Sequence, residues 1–363
     1  MNLLRRAVIS LKNRFIVPAP VPEIIAATSA GSTPASDAYA ERRRREIEKF
    51  KAVENVHELP EIFHFWSNRY VRPKLEAVLG VSGIDDFFLK YIHRSYKARP
   101  NDTIVIVSIG AGNSDTELRL AQKMRNQGLK NFRFRCLDIN PSMLERGRQL
   151  AITNDLANEF EFVESDVTAW QERGNVSIVM ANHSLHHIVE LELLFERVRT
   201  AIGREGYFLV CDMVGRNGHM RWPEALEIIH SIWKTMPDRY KFNHQLNRFE
   251  ELYENWDCST EGFEGIRAQD ILPLLVKTFH FESFAAYGNL PDIFIDRGFG
   301  HNFDINNHED TEFVDRIGTL NDRLISEGKV KPTQIVAALR ADRTETTQCY
   351  EHWTPAFCVR TVG

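Results

Sequence analysis

The chain has 363 residues, 43% hydrophobic and 26% charged, an ordinary balance for one large α/β domain with additions or for two small domains. A net charge of −5 at neutral pH argues against nucleic acid as the main partner, because phosphate binding needs a basic face. No run approaches the ~20 apolar residues of a membrane span, and the five scattered cysteines form no C-x-x-C and no Cys/His spacing of a zinc site, so the expectation is a reducing, cytoplasmic location with no metal.

In chain order, residues 1–38 are expected to be a flexible tail and linker, since 17–38 are rich in Pro, Ala, Ser, Thr and Gly. Residues 2–15 can form a short basic amphipathic helix; a tail is favoured over contact with a membrane surface. Residues 39–98 read as a helical cap: a first helix carrying Ile47, Phe50 and Lys51 and ending near Pro60, then the aromatic knot of Ile62, Phe63, Phe65 and Trp66, then helices over 71–79 and 84–96. The Arg42 to Arg45 cluster reads as a solvated helix face.

From residue 103 strand-length apolar runs alternate with helical segments. The runs are 103–109, 132–138, 159–164, 175–181 and 206–212, and the first, fourth and fifth are nearly continuous, as parallel strands covered on both faces require. Helix 115–127 follows a capping-box pattern, Ser114 with Glu117. A second helix opens at Asn140-Pro141, and a third runs over 190–202. Residues 213–265 read as an insertion with helices over 223–235 and 243–255. A helix over 268–277 and strands over 280–287 and 334–340 return to the sheet, and 342–363 read as a C-terminal tail. The fold class is therefore α/β, a doubly wound and mostly parallel sheet over 99–341.

Four signals stand at strand ends, where open α/β sheets bind ligands. Ser108, Gly110, Ala111 and Gly112 follow the first strand, and glycines there let the backbone approach a ligand. Asp138-Ile139 ends the second, where a carboxylate can accept from both hydroxyls of a ribose; Asn140 suits the capping role, which leaves Asp138 for the ligand. Asp166-Val167 follows the third strand, and Asn182-His183-Ser184-Leu185-His186-His187 follows the fourth.

In these motifs, taken in order, the chain resembles the class I S-adenosylmethionine-dependent methyltransferases over roughly residues 60–340. The resemblance implies a seven-stranded sheet ordered 3-2-1-4-5-7-6, with 280–287 and 334–340 as the last two strands. It implies S-adenosyl-L-methionine as cofactor, held by Ser108, Gly110, Ala111, Gly112, Asp138, Ile139, Asp166, Val167, Asn182 and His183. Ser108 stands where the family often has an acidic residue, and Ser114 where it often has a third glycine. Asp115 occupies the last position of the dinucleotide fingerprint, where it would repel a pyrophosphate but not a sulfonium cofactor. That spacing counts against the nicotinamide-dependent oxidoreductase alternative; a non-catalytic binding subunit of the same fold is the other.

The expected reaction is methyl transfer to an oxygen or nitrogen of a small-molecule or sugar-type acceptor. Candidate bases are His183, His219, His244 and Asp212, with His186 and His187 read as opening the next helix. Trp222, Trp233, Tyr240, Tyr253 and Trp256 suggest either a cover over the acceptor or packing of the insertion, and Arg221, Arg239 and Arg248 offer pairs for an anionic acceptor. The sequence leaves the oligomeric state open.

Overall fold

The computed structural model describes residues 34–51, 58–172, 176–260, 262–342 and 346–360. The apolar runs become the sheet. Five strands, β1 (Ile104–Ile109), β2 (Phe132–Asp138), β3 (Phe160–Glu164), β4 (Ile178–Asn182) and β5 (Tyr207–Met213), run parallel. Their central members are sealed on both faces: Ile106, Val107, Val179, Met180, Leu209 and Val210 have no solvent exposure, which is why these runs carry no polar alternation. β9 (Gln334–Arg340) enters antiparallel between β5 and β8 (His280–Tyr287), and β10 (Gln348–Cys349) pairs with the outer side of β8. Among the described residues the sheet has eight strands, ordered β10-β8-β9-β5-β4-β1-β2-β3, where seven were expected; the added edge strand lies in the segment read as a patternless tail.

The helices between strands are α5 (Asp115–Asn126), α6 (Pro141–Thr153), α7 (Leu191–Ile202) and α9 (Ala268–Thr278). Ahead of the sheet stand α1 (Pro34–Lys51), α2 (Glu61–Trp66), α3 (Arg72–Leu79), joined to α2 by a π-helical turn over 67–71, and α4 (Ile84–Ala98). Phe87, Phe88, Tyr91 and Ile92 make the buried face of α4, and the Tyr91 hydroxyl meets Ser283 Oγ at 2.8 Å. α1 begins inside the stretch read as linker; the remainder of the expected tail, including 2–15, lies outside the described residues. Among the described residues no helix is long and apolar enough to cross a membrane.

The insertion departs further. α8 (Pro223–Thr235) forms as expected, but 243–255 is not a helix. It holds a two-stranded hairpin, β6 (Phe242–Asn243) with β7 (Arg248–Phe249). Asn243 Oδ1 accepts from the amides of Gln245 and Leu246, and Asn247 sits at φ +49°, so side-chain turn chemistry wins over helical spacing. Three helices were not anticipated: α10 (Leu290–Ile295), α11 (His308–Ser326) and the short α12 (Pro355–Cys358).

Candidate active site

β1 ends in a turn with Gly110 at φ +63° and Gly112 at φ +54°. A Cβ on Gly110 would stand 2.6 Å from Ser184 Cβ, so this close approach requires glycine. The Ala111 amide donates to the Leu137 carbonyl at 3.0 Å. The Gly112 amide donates to Asp138 Oδ2 and the Asn140 amide to Oδ1, each at 2.8 Å. Burial raises the Asp138 pKa against those two amide bonds. Asn140 caps α6 by accepting from Ser142 and Met143, as expected. The Ser165 amide donates to the Asp138 carbonyl at 3.0 Å, which ties the third strand's turn to the second. Asp166 Oδ1 accepts from Thr168, and its Oδ2 accepts from the Tyr39 hydroxyl at 2.6 Å. Ile139 and Val167 are half-buried beside these carboxylates. At the end of β4, Asn182 Oδ1 and Ser184 Oγ are buried without a hydrogen-bond partner.

The capping box does not form. Ser114 sits at φ +59° with no side-chain cap. The Glu117 carboxylate instead accepts from Ser108 Oγ at 2.5 Å. Burial pushes Glu117 up to about 7, against the Ser108 hydrogen bond. An acidic group thus stands beside residue 108 after all, delivered by α5.

A second cluster gathers behind β4 and β5. His186 Nδ1 lies 2.6 Å from Asp212 Oδ1. Asp212 Oδ2 accepts from the amides of Ser184 and Leu185, and Oδ1 also accepts from Met213. Glu264 Oε1 is 2.9 Å from His219 Nε2 and 3.5 Å from His186 Nε2. Its Oε2 is 3.7 Å from Lys49 Nζ and 3.9 Å from His187 Nε2, and His187 Nδ1 stands 2.8 Å from Glu46 Oε1. Burial works to lower His186, but Asp212 and Glu264 outweigh it and push the imidazole up to about 10. Burial favours a neutral Asp212, yet His186 holds its pKa below the usual range. Half-buried Glu264 is held far lower by His186 and His219. Burial lowers His219, Glu264 opposing.

Asp212 and His219, each a candidate base, are linked through His186 and Glu264. His186 and His187 occupy a short 3-10 turn, Leu185–His187, before α7 begins at Leu191. His183 is exposed at the end of β4, at φ +53°, with Nε2 3.7 Å from Cys211 Sγ. His244 is exposed on the β6–β7 hairpin, its Nε2 2.8 Å from Asn302 Oδ1 and its ring edge-on to His301; these are not contacts with the cluster. Sequence reasoning missed Glu46 and Glu264, which lie in no motif and reach the histidines only through tertiary folding.

Residues 100–257 match the family model of a methyltransferase domain. The match covers less than half of the chain, from β1 into the insertion. No curated protein matches the sequence. Among solved structures, the geranyl diphosphate C-methyltransferase of Streptomyces coelicolor A3(2) is 10% identical, covers 86% of this chain and 100% of its own, and superposes with a TM-score of 0.42. The O-methyltransferase of a trans-AT PKS multienzyme of Brevibacillus brevis is 11% identical, with 72% of each chain covered and a TM-score of 0.40. Likeness of this extent carries no argument about the acceptor.

α1 lies along the carboxyl edge of the sheet. Tyr39 holds Asp166, the Ile47 carbonyl accepts from Asn140 Nδ2 at 3.2 Å, and the Phe50 carbonyl accepts from Arg146 at 3.3 Å. On its other side, Glu46 Oε2 accepts from the Phe263 amide at 3.1 Å, and Arg42 donates to the carbonyls of Ser259 and Gly262. One helix thus touches Asp166, Asn140 and the histidine cluster together. Much of the insertion's aromatic content is packing. Trp233 is fully buried against Tyr253, Phe294 and Phe299, and Tyr240 stacks on Phe303. Trp222 lies beneath Arg216 and Arg360, and Trp256 is exposed. Arg221 pairs with Asp292, Arg239 with Glu309 and Arg248 with Glu250.

Proposed function

We propose that the chain is an S-adenosylmethionine-dependent methyltransferase that methylates an oxygen or nitrogen of a small-molecule acceptor, sugars included. The observation that carries the reading is the convergence of Gly110, Gly112 and Asp138 with the unpartnered acceptors Asn182 Oδ1 and Ser184 Oγ at one edge of the sheet. This donor set fits the cofactor. Its ammonium group calls for acceptors, which Asn182 and Ser184 offer, with the Glu117 carboxylate beside Ser108. Its ribose suits Asp138, its adenine the turn of Asp166 and Val167, and the open backbone of Gly110, Ala111 and Gly112 suits a close, phosphate-free ligand.

The bound cofactor supplies the activated methyl group, so the protein's share is orientation and exclusion of water. We assign the base role to His183, exposed at the end of β4. Asp212, already filled by three amides and His186, is assigned to positioning His186. The test is calorimetry with S-adenosylhomocysteine and NAD in parallel, followed by mass spectrometry of a panel of hydroxyl and amine acceptors. Binding of NAD without S-adenosylhomocysteine would replace this reading with hydride transfer. Cofactor binding with no product across the panel would favour a binding subunit.

A further inference from the structure

We propose that His186 Nε2, His219 Nε2 and the Glu264 carboxylate form a site for a divalent transition-metal ion, with Asp212 as the outer partner of His186. The three ligand atoms lie within 4.8 Å of one another. A tetrahedral ion with metal–nitrogen bonds of about 2.1 Å needs donors roughly 3.4 Å apart. The two separations from Glu264 Oε1, 2.9 and 3.5 Å, straddle that value.

The surrounding contacts are those that a metal-binding imidazole needs. The Asp212 carboxylate, 1% exposed, takes the Nδ1 hydrogen of His186 and so directs the Nε2 lone pair toward Glu264. The three segments are also stitched together through their backbones. The Ile266 amide donates to the His186 carbonyl at 3.0 Å, and the Gly218 amide donates to the Gly265 carbonyl at 2.9 Å. His219 is held at φ +55° beside Gly218 at φ +64°, an unusual conformation for a histidine, and strain of this kind collects at functional sites.

Charge points the same way. Buried Asp212 and half-buried Glu264 stand on either side of the His186 imidazole, and a carboxylate withdrawn from water needs a cationic partner. A divalent ion on His186 Nε2 would take the place of that imidazole's proton and balance the pair. Lys49 lies by the other oxygen of Glu264, leaving Oε1 for the metal. Two nitrogens and one oxygen suit zinc, manganese, iron(II) or cobalt better than magnesium or calcium. With three protein ligands, a further position stays open to an oxygen of water or of the acceptor. The acceptor contact rests on the methyltransferase reading; the metal site does not.

The test uses the full chain, stripped with a chelator and then titrated with zinc, manganese and cobalt salts. Calorimetry should show one ion bound per chain, and cobalt should give the visible absorption bands of a low-coordinate site. His219→Ala and Glu264→Gln should each weaken binding by about 10-fold or more. Circular dichroism confirms that each variant is folded, and His186→Ala is read only if it passes that check. Failure of the wild-type chain to bind any of the three ions overturns the proposal, as does equal affinity in folded His219→Ala and Glu264→Gln. S-adenosylhomocysteine titrated into the same preparations separates the two readings. Its binding without metal binding sinks only the metal site, and metal binding without it sinks only the methyltransferase assignment.

Discussion

Replacing Glu117 with Gln keeps the shape of the side chain and an oxygen to accept from Ser108, but removes the ability to ionise. The carboxyl is 3% exposed, and its pKa rises from 4.5 to about 7 on folding. At about 1.4 kcal/mol per unit of pKa, full ionisation costs the native state about 3 kcal/mol. Above pH 4.5 the unfolded chain releases this proton while the folded chain keeps it. The wild type therefore loses stability as pH rises toward 7, and the loss levels off beyond it. Glu117→Gln lacks this slope, so between pH 4 and pH 8 its stability relative to wild type should improve by up to about 3 kcal/mol. Urea unfolding followed by tryptophan fluorescence across that range measures the difference. Parallel pH profiles for the two proteins would refute the buried, protonated Glu117. A second readout tests its partner: if the carboxyl serves the cofactor's ammonium, S-adenosylhomocysteine binding near pH 7 should release a proton, visible as a dependence of calorimetric heat on the buffer. The variant should show none.

Asp138→Ala should weaken S-adenosylhomocysteine binding by ~1–3 kcal/mol, the usual loss for hydrogen bonds to a charged group; unchanged affinity in calorimetry removes Asp138 from the site. Tyr39→Phe deletes the hydroxyl bound to Asp166 and should speed amide hydrogen exchange across residues 38–50, whereas identical exchange would mean that this bond does not hold α1 down. Trp233→Ala should cost ~3–5 kcal/mol in unfolding experiments, as expected for a fully buried aromatic; a loss under about 1 kcal/mol, with weakened turnover instead, would return Trp233 to the acceptor pocket.

The strands were legible because their chemistry is local. A run such as Ile104 to Ile109 must be covered on both faces, and Asn140-Pro141 announces its helix by capping geometry that three residues suffice to specify. Residues 243–255 carry helical spacing, but Asn243 and Asn247 bend the backbone before it can propagate. α11 was hidden because its buried face includes Gly318 and Asn321 among the aliphatic residues. Gly318 is a notch for the Tyr70 ring, where a Cβ would stand 2.6 Å from Cζ, and Asn321 accepts from the Leu290 amide. At the site, Gly110, Asp138 and Asp166 were readable as strand-end residues. Glu46 was not, since it meets Phe263 across 217 positions of sequence. Glu117 was noticed for the wrong reason: a free amide at a helix start and a hydroxyl on the preceding strand compete for the same carboxylate, and burial settled the contest.

The course of α1 has a practical side for anyone handling this enzyme. Cutting the gene at residue 58 would look like trimming a leader, yet it would strip Tyr39 from Asp166 and Glu46 from His187 in one stroke. A bulky fusion placed just ahead of residue 34 would pull on the same helix. Affinity handles therefore belong at the other end of the chain, and any ranking of preparations by turnover should first compare where each one starts.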